Sequence, residues 1–224
     1  MRVLAVPVKD LVNAKQRLIP LLAAEERRAL AAAMLEDVLT ALASARLDAI
    51  WVVTRDREVI AIAQGHGVTV VTEAENLGHT AAVAAAQARA SREGARVFAT
   101  IPGDVPCVTP TEIDALLGAA DAQIVLAASR SGLGTNGVAL APPDALALRF
   151  GEPSFDNHVA AARARGVTPR LLQLPGLALD VDDPDDIAAL LAEGRETRSA
   201  RLVAGWSVAA RLADARSRAN ASSR

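Results

Sequence analysis

The stretch "AQIVLAASRSGLGTNGVALAP" (residues 122–142) decides how the chain folds. It holds two apolar runs, AQIVLAA (122–128) and NGVALAP (136–142), with only a short loop and no helical pattern between them. Upstream the rhythm is different. The runs "RVLAVPV" (2–8), "AIWVVT" (49–54), "GVTVVT" (67–72) and "RVFATIP" (96–102) are continuous rather than alternating, as in strands covered on both faces. Helical patterns separate them at 23–45, 57–64, 80–93 and 111–120, the first with Leu30, Met34, Val38 and Leu42 on one stripe. Repeated βαβ units predict a three-layer α/β/α fold with a mostly parallel sheet. At 122–142 that pattern breaks, and an antiparallel, hairpin-like insertion is expected. The same loop carries GLGTNG (132–137), which fits the dinucleotide pattern GxGxxG letter for letter. That fingerprint requires a helix after the glycines, and here a strand follows. The loop reads as a glycine turn, or as one whose N–H groups and Thr135 hydroxyl meet an anion.

A helix at about 155–165, a strand "PRLLQL" (169–174), the segment "LALDVD" (177–182), read as a further strand end at 177–179, and a helix from 184 complete the body. Residues 1–194 are read as one domain. Residues 195–224 are read as a helical extension, with Leu202, Trp206 and Leu212 as a docking stripe on one last helix and "SRANASSR" (217–224) as a frayed end.

With 224 residues, 51% of them hydrophobic, the chain can bury one full core. Net charge is -2, aromatics make up 2%, and no run of like charge is long enough to track a phosphate backbone, which argues against nucleic acid as a partner. The first residues are too short an apolar run for a signal peptide or a membrane span, so a cytoplasmic protein with no membrane partner is expected. A lone Cys107 and three scattered histidines, His66, His79 and His158, exclude a structural zinc site. His158 is read as packed or water-facing, with no role.

In an open α/β sheet, ligands bind beyond the carboxyl ends of the strands. After the first strand comes "VPVKDLVNAKQRL" (6–18), which contains Lys9 and Lys15, the only two lysines in the chain, and Arg17. Other strands lead into "EAENLGHT" (73–80), "GDVPCVTP" (103–110) and "DVDDPDD" (180–186). In the last, Pro184 at a first helical position makes Asp183 an N-cap and places Asp185 and Asp186 in the first turn. Asp180 and Asp182 lack such a reason. On an extended segment they point the same way, so they are read as magnesium ligands, with solvated loop carboxylates as the alternative. Thr109, Pro110 and Glu112 form a capping box, whereas Asp104 just before them is either a turn residue or a metal ligand. In "FGEPSFDNH" (150–158), Ser154 reads as an N-cap at a helix start that favours phosphate.

Mg-binding carboxylates beside Lys and Arg suit phosphoryl or nucleotidyl transfer. No nucleophile and base pair is evident. A phosphate monoester, with a second pKa of about 6, is already an anionic nucleophile at pH 7, so joining a substrate phosphate to a nucleoside triphosphate fits.

The segments "VPVKDLVNAKQRL", "ERRALAAAMLEDVLTAL", "VVT", "PGDVP", "GTNG", "FGEPSFDNH" and "LALDVDDPDDI", in this order, resemble the CofC family of 2-phospho-L-lactate guanylyltransferases. The resemblance covers about residues 1–192. It implies the nucleotide-diphospho-sugar transferase (glycosyltransferase-A-like) fold, GTP as donor, Mg ions, pyrophosphate release and a place in coenzyme F-420 biosynthesis. The acceptor would be 2-phospho-L-lactate, phosphoenolpyruvate or 3-phospho-D-glycerate. Lys15 and Arg17 would hold triphosphate oxygens with Lys9 beside them, and together with Asp104 they form the catalytic set. Asp104, Asp180 and Asp182 would hold Mg. Thr135, Gly151 and Ser154 would contact the acceptor, the last directly or through metal. Gly78, His79 and Thr80 fall in the nucleotide region, but the family usually has Gly-Leu-Asn there, which opens the substrate's identity. The partners implied are GTP and a small phosphorylated acid, with a second copy of the chain as a candidate. Rival readings are a related nucleotidyltransferase or glycosyltransferase with another acceptor, and a non-catalytic nucleotide-binding paralogue.

Overall fold

The computed structural model describes residues 1–72, 78–208 and 210–213 of the chain. Its strands are β1 (Arg2–Pro7), β2 (Ala49–Val53), β3 (Thr69–Val71), β4 (Val97–Thr100), β5 (Ile124–Ala128), β6 (Thr135–Leu140) and β7 (Arg170–Leu172). They form one sheet in the order β3-β2-β1-β4-β6-β5-β7. Strands β3, β2, β1 and β4 pair in parallel, as do β5 and β7, while β6 is antiparallel to both of its neighbours. The hairpin anticipated at 122–142 is therefore present as β5–β6, and the glycine pattern lies on its turn and the start of β6, not before a helix.

The helices are α1 (Ala24–Ala43), α2 (Arg57–Gly65), α3 (His79–Arg92), α4 (Pro110–Gly118), α5 (Ser154–Ala164), α6 (Pro175–Ala178), α7 (Pro184–Ala192) and α8 (Arg198–Gly205). Successive strand side chains point to opposite faces, so Leu4 and Val6 pack into one core and Val3 and Ala5 into the other. The first core is covered by α1, α2, α4, α7 and α8, the second by α3 and α5. On α1 the stripe Leu30, Met34, Val38 and Leu42 is fully buried, each side chain contributing about 1.5–3 kcal/mol of apolar transfer.

Two expectations are corrected. The segment at 177–179 is not a strand: Pro175 opens the short helix α6, and irregular chain follows it. The tail is not one continuous helix, because a turn at Trp206 and Ser207, the latter at φ 54°, ends α8. That break resets the spacing, so Val203, Val208 and Leu212 are buried while Leu202 and Trp206 are half-buried. Asp37 of α1 accepts the N–H groups of Arg198 and Ser199 at 2.8 and 2.9 Å and fixes the start of α8. Residues 217–224 lie outside the described residues. Among the described residues, no helix is long and apolar enough to cross a membrane.

Candidate active site

Because β6 runs against its neighbours, it begins at the edge where β1, β4 and β5 end, and its first residues arrive beside the loops that follow those strands. The register skips there: Ala127 pairs with Gly137 but Ala128 pairs with Thr135, leaving Asn136 as a bulge. The bulge re-aims Asn136, whose Nδ2 donates to the carbonyls of Leu177 and Ala178 and to Asp180 Oδ1 at 3.0–3.2 Å. A Cβ at Gly137 would lie 2.7 Å from Leu177 Cδ2 and 3.0 Å from Ala127 Cβ, so a side chain there would push α6 and β5 away from the bulge. A residue the sequence reading passed over thus holds Asp180 in place.

Asp104 follows β4, and its carbonyl accepts the N–H of Val181 at 3.0 Å, tying the two acidic segments together. Val181 is fully buried between them, so Asp180 and Asp182 both face the cleft. Asp186 accepts the N–H groups of Asp182 and Asp183 at 3.0 Å, and Asp183 caps α7 as anticipated. Ion pairing with Arg130 at 3.2 Å completes the role of Asp186.

Lys15 sits in the left-handed region at φ 55°, a conformation that costs a non-glycine residue about 1–2 kcal/mol. From there its ammonium donates to Asp104 Oδ2 at 2.5 Å and to Asp182 Oδ1 at 2.8 Å. Burial works against the Lys15 charge, but the two carboxylates outweigh it and raise its pKa. Burial likewise opposes the Asp182 charge, yet Lys15 and Arg17 hold this carboxyl below the usual range. Asp180 is pushed up, first by burial and then by the Asp104 and Asp182 charges, against the hydrogen bond from Asn136. Asp104 Oδ1 is buried without a hydrogen-bond partner. Among the described residues, no three His, Cys, Asp or Glu side chains are arranged as a metal cage; the Lys15 ammonium lies between two of the acids.

Two cavities meet at Asp104 and Asp182. One, of about 620 Å³, lies against the loop after β1, with Lys9, Lys15 and Met34 on its walls. The other, of about 500 Å³, is lined by Gly78, Thr80, Thr135, Gly151, Ser154 and Asp180 among others. Lys9 and His79 line both. Burial lowers the His79 pKa, with Lys9 adding to the effect and Asp104 opposing it. Arg17 is exposed and faces a smaller recess of about 370 Å³ beyond Asp182, with Arg130 and Asp186. One sheet edge therefore collects every candidate site residue named from the sequence, although Arg17 lines only the recess beyond Asp182.

Three readings change in the second cavity. Ser154 is not an N-cap: Pro153 holds that position, and the Ser154 Oγ instead accepts the Thr135 N–H at 3.0 Å. Helix α5 has no side-chain cap, because the serine is turned inward to pair with the bulged strand. Thr80 Oγ1 accepts the N–H of Phe150 at 3.0 Å, so it holds the loop before Gly151, itself at φ 111°. His158 is buried and hydrogen-bonded rather than merely packed, with Nδ1 3.0 Å from Thr135 Oγ1. Its place one turn into α5 gave no signal of this, because the partner lies 23 residues earlier in the chain.

The fold is shared with a protein from Desulfovibrio desulfuricans G20 described as a nucleotide-diphospho-sugar transferase, with a TM-score of 0.77, 16% identity and coverage of 96% of this chain and 98% of the other. A phosphoenolpyruvate guanylyltransferase of Conexibacter woesei is 40% identical over 82% of this chain and 84% of its own. Another of that name, from Sphaerobacter thermophilus, is 41% identical over 83% and 90%. A 2-phospho-L-lactate guanylyltransferase of Methanothermobacter thermautotrophicus is 34% identical over 87% and 86%. The family model "Guanylyl transferase CofC like" matches residues 1–218, a span that takes in the lysine loop, all three acidic positions and the bulged hairpin. The chain belongs to that CofC-like guanylyl transferase family.

Proposed function

We propose that the chain transfers GMP from GTP to the phosphate of a small phosphorylated carboxylic acid, releasing pyrophosphate, as a step of coenzyme F-420 biosynthesis. The observation that carries this reading is Asp104, placed where two cavities meet, with one oxygen on Lys15 and the other buried and unpaired. An orphaned carboxylate oxygen beside Asp180, whose charge burial disfavours, fits a cation. Asp104, Asp180 and Asp182 would hold Mg. A divalent ion there would neutralise triphosphate charge and polarise the α-phosphorus.

The larger cavity takes the nucleotide. Lys9 and Lys15 hold triphosphate oxygens from the loop after β1, and Arg17 reaches them from beyond Asp182. Lys15 exchanges its carboxylate partners for phosphate ones, an ammonium that spans two anions being suited to two phosphate oxygens. The smaller cavity takes the acceptor on Thr135, Gly151 and Ser154, with its phosphate toward the nucleotide. An acceptor phosphate oxygen attacks the α-phosphorus as the bond to the β-phosphate bridging oxygen breaks, and pyrophosphate leaves with that electron pair. No protein base is needed, because the phosphate is already anionic at pH 7. Catalysis on this reading is positioning and charge stabilisation. Residues 1–194 are taken as the catalytic domain, 195–224 as an accessory extension, and the cytoplasm as the compartment.

The test is to incubate the protein with Mg and GTP, ATP or CTP against phosphoenolpyruvate, 2-phospho-L-lactate, 3-phospho-D-glycerate and a sugar phosphate, following pyrophosphate. Turnover with GTP and one of the three acids is expected. Turnover only with the sugar phosphate, or only with CTP, would sink the proposal; none with any pair favours a non-catalytic paralogue.

A further inference from the structure

Behind the hydroxyls of Thr135 and Ser154 lies His158, which the reaction above does not use. The ring is 2% exposed. Its Nε2 accepts the backbone N–H of Arg149 at 2.9 Å, so in the neutral imidazole Nδ1 carries the proton. Burial lowers the His158 pKa, which favours the neutral ring at pH 7. The Nδ1–H then donates to Thr135 Oγ1, 3.0 Å away. Phe150 packs edge-on against the ring with centroids 5.4 Å apart, and this holds the ring's orientation.

Counting protons gives the consequence. Ser154 Oγ lies 3.2 Å from Thr135 Oγ1, so one hydroxyl proton is used between the pair. The imidazole supplies its own proton to Thr135. One hydroxyl proton of the pair is therefore left over, and both residues line the smaller cavity. With the opposite tautomer, Thr135 would donate to Nδ1 and Ser154 to Thr135, leaving no proton for a ligand.

We propose that His158 is a positioning residue that, by donating to Thr135, reserves one hydroxyl proton of the Thr135–Ser154 pair for an anionic oxygen of the acceptor, carboxylate or phosphate. The proposal rests on reading the smaller cavity as the acceptor site. It makes His158 a determinant of acceptor affinity that never touches the acceptor.

Imidazole nitrogen NMR of the ligand-free protein labelled with 15N-histidine tests the tautomer directly. Protonated Nδ1 and unprotonated Nε2 are expected for His158, and the reverse overturns the proposal whatever the substrates prove to be. Kinetics test the consequence. His158→Leu removes the donor that occupies a Thr135 lone pair, so the free proton of the pair is no longer fixed toward the cavity, and the acceptor KM should rise severalfold, up to the roughly tenfold scale of a hydrogen bond to a charged group. The GTP KM should stay within about twofold, since on the same reading GTP occupies the other cavity, which Thr135 and Ser154 do not line. His158→Asn, whose amide nitrogen falls near the Nδ1 position, should recover most of the acceptor KM. A folded His158→Leu variant with an unchanged acceptor KM overturns the proposal; if that variant does not fold, the tautomer and the His158→Asn kinetics decide. An acceptor KM unmoved by a Thr135→Val, Ser154→Ala double variant would instead overturn the acceptor-cavity reading, with the tautomer result standing apart from it.

Discussion

On one side of Asp104 and Asp182 the larger cavity has Leu11, Ala31 and Met34 on its walls and carries its charge on Lys9 and Lys15. On the other side, Thr80, Thr135, Asn136 and Ser154 are each already engaged in hydrogen bonds within the protein. The first region holds Lys15 by two ion pairs, which a polyanion can replace. The second holds its polar groups in a bonded network anchored by a buried histidine and a strand bulge. A charged, flexible donor such as a triphosphate suits exchangeable partners, whereas a small acceptor must be met by groups already in place.

The largest effect that could break this comparison is at the junction. Asp104→Asn keeps the shape but removes the charge both cavities share, and turnover should fall about 10²–10³-fold, the scale of losing one preorganised electrostatic contact. Retention of a tenth or more of wild-type turnover would remove Asp104 from the reacting centre.

Next comes the exchangeable side. Lys15→Met leaves Asp104 and Asp182 without their cation. Breaking a fully buried pair costs about 3–5 kcal/mol, but the Asp182 side chain is 44% exposed, so about 1–3 kcal/mol is expected. The Asp182 pKa is lowered in the folded state, so its contribution is present above the ordinary value of 3.8 and fades as pH falls through the lowered one. The Lys15 pKa is raised, so its contribution is present below 10.5 and fades as pH rises through the raised value. Thermal melts should therefore show a wild-type minus Lys15→Met gap that is flat at neutral pH and closes at both extremes. A gap that widens toward acid would contradict the ion-pair account.

On the bonded side, Ser154→Ala strands the Thr135 N–H in a buried place and should cost about 1–3 kcal/mol by denaturant unfolding. Met34→Leu, on the apolar wall of the other cavity, conserves volume and should cost less than about 1.5 kcal/mol. Equal losses would erase the distinction between the two walls.

The smallest effect has the opposite sign. Burial raises the Asp180 pKa, so folding favours its neutral form and the ionised form costs stability above the ordinary value of 3.8. Asp180→Asn keeps an acceptor for Asn136 and removes that charge, so its Tm should exceed that of the wild type at pH 7, with the gain vanishing below pH 3.8, while turnover falls. A lower Tm at pH 7 would show that a cation-free Asp180 carries no such penalty.

Chain-local information was enough to place most of the fold. Apolar runs, the stripe on α1 and the Thr109 and Asp183 caps are set by residues within a few positions of one another, so they can be read directly. The lysine loop and Asp104 were legible for the same reason, since each follows a strand and strand ends share an edge, whereas Asp180 and Asp182 follow the short helix α6 and were singled out only as carboxylates without a capping role. The segment after residue 174 misled because Pro175 and an apolar run can start either a helix or a strand end, and only packing against Cys107 and Glu112 chose. What tertiary structure alone decided is which partner each polar group meets. Lys15 reaches Asp182 across 167 positions, Asn136 reaches Asp180 across 44, and His158 reaches Thr135 across 23. Sequence determined that cations, carboxylates and hydroxyls would gather at one edge. The reversal of β6, its bulge and the place of one buried histidine ring decided how they meet, because hydrogen bonds depend on angles that no local pattern encodes.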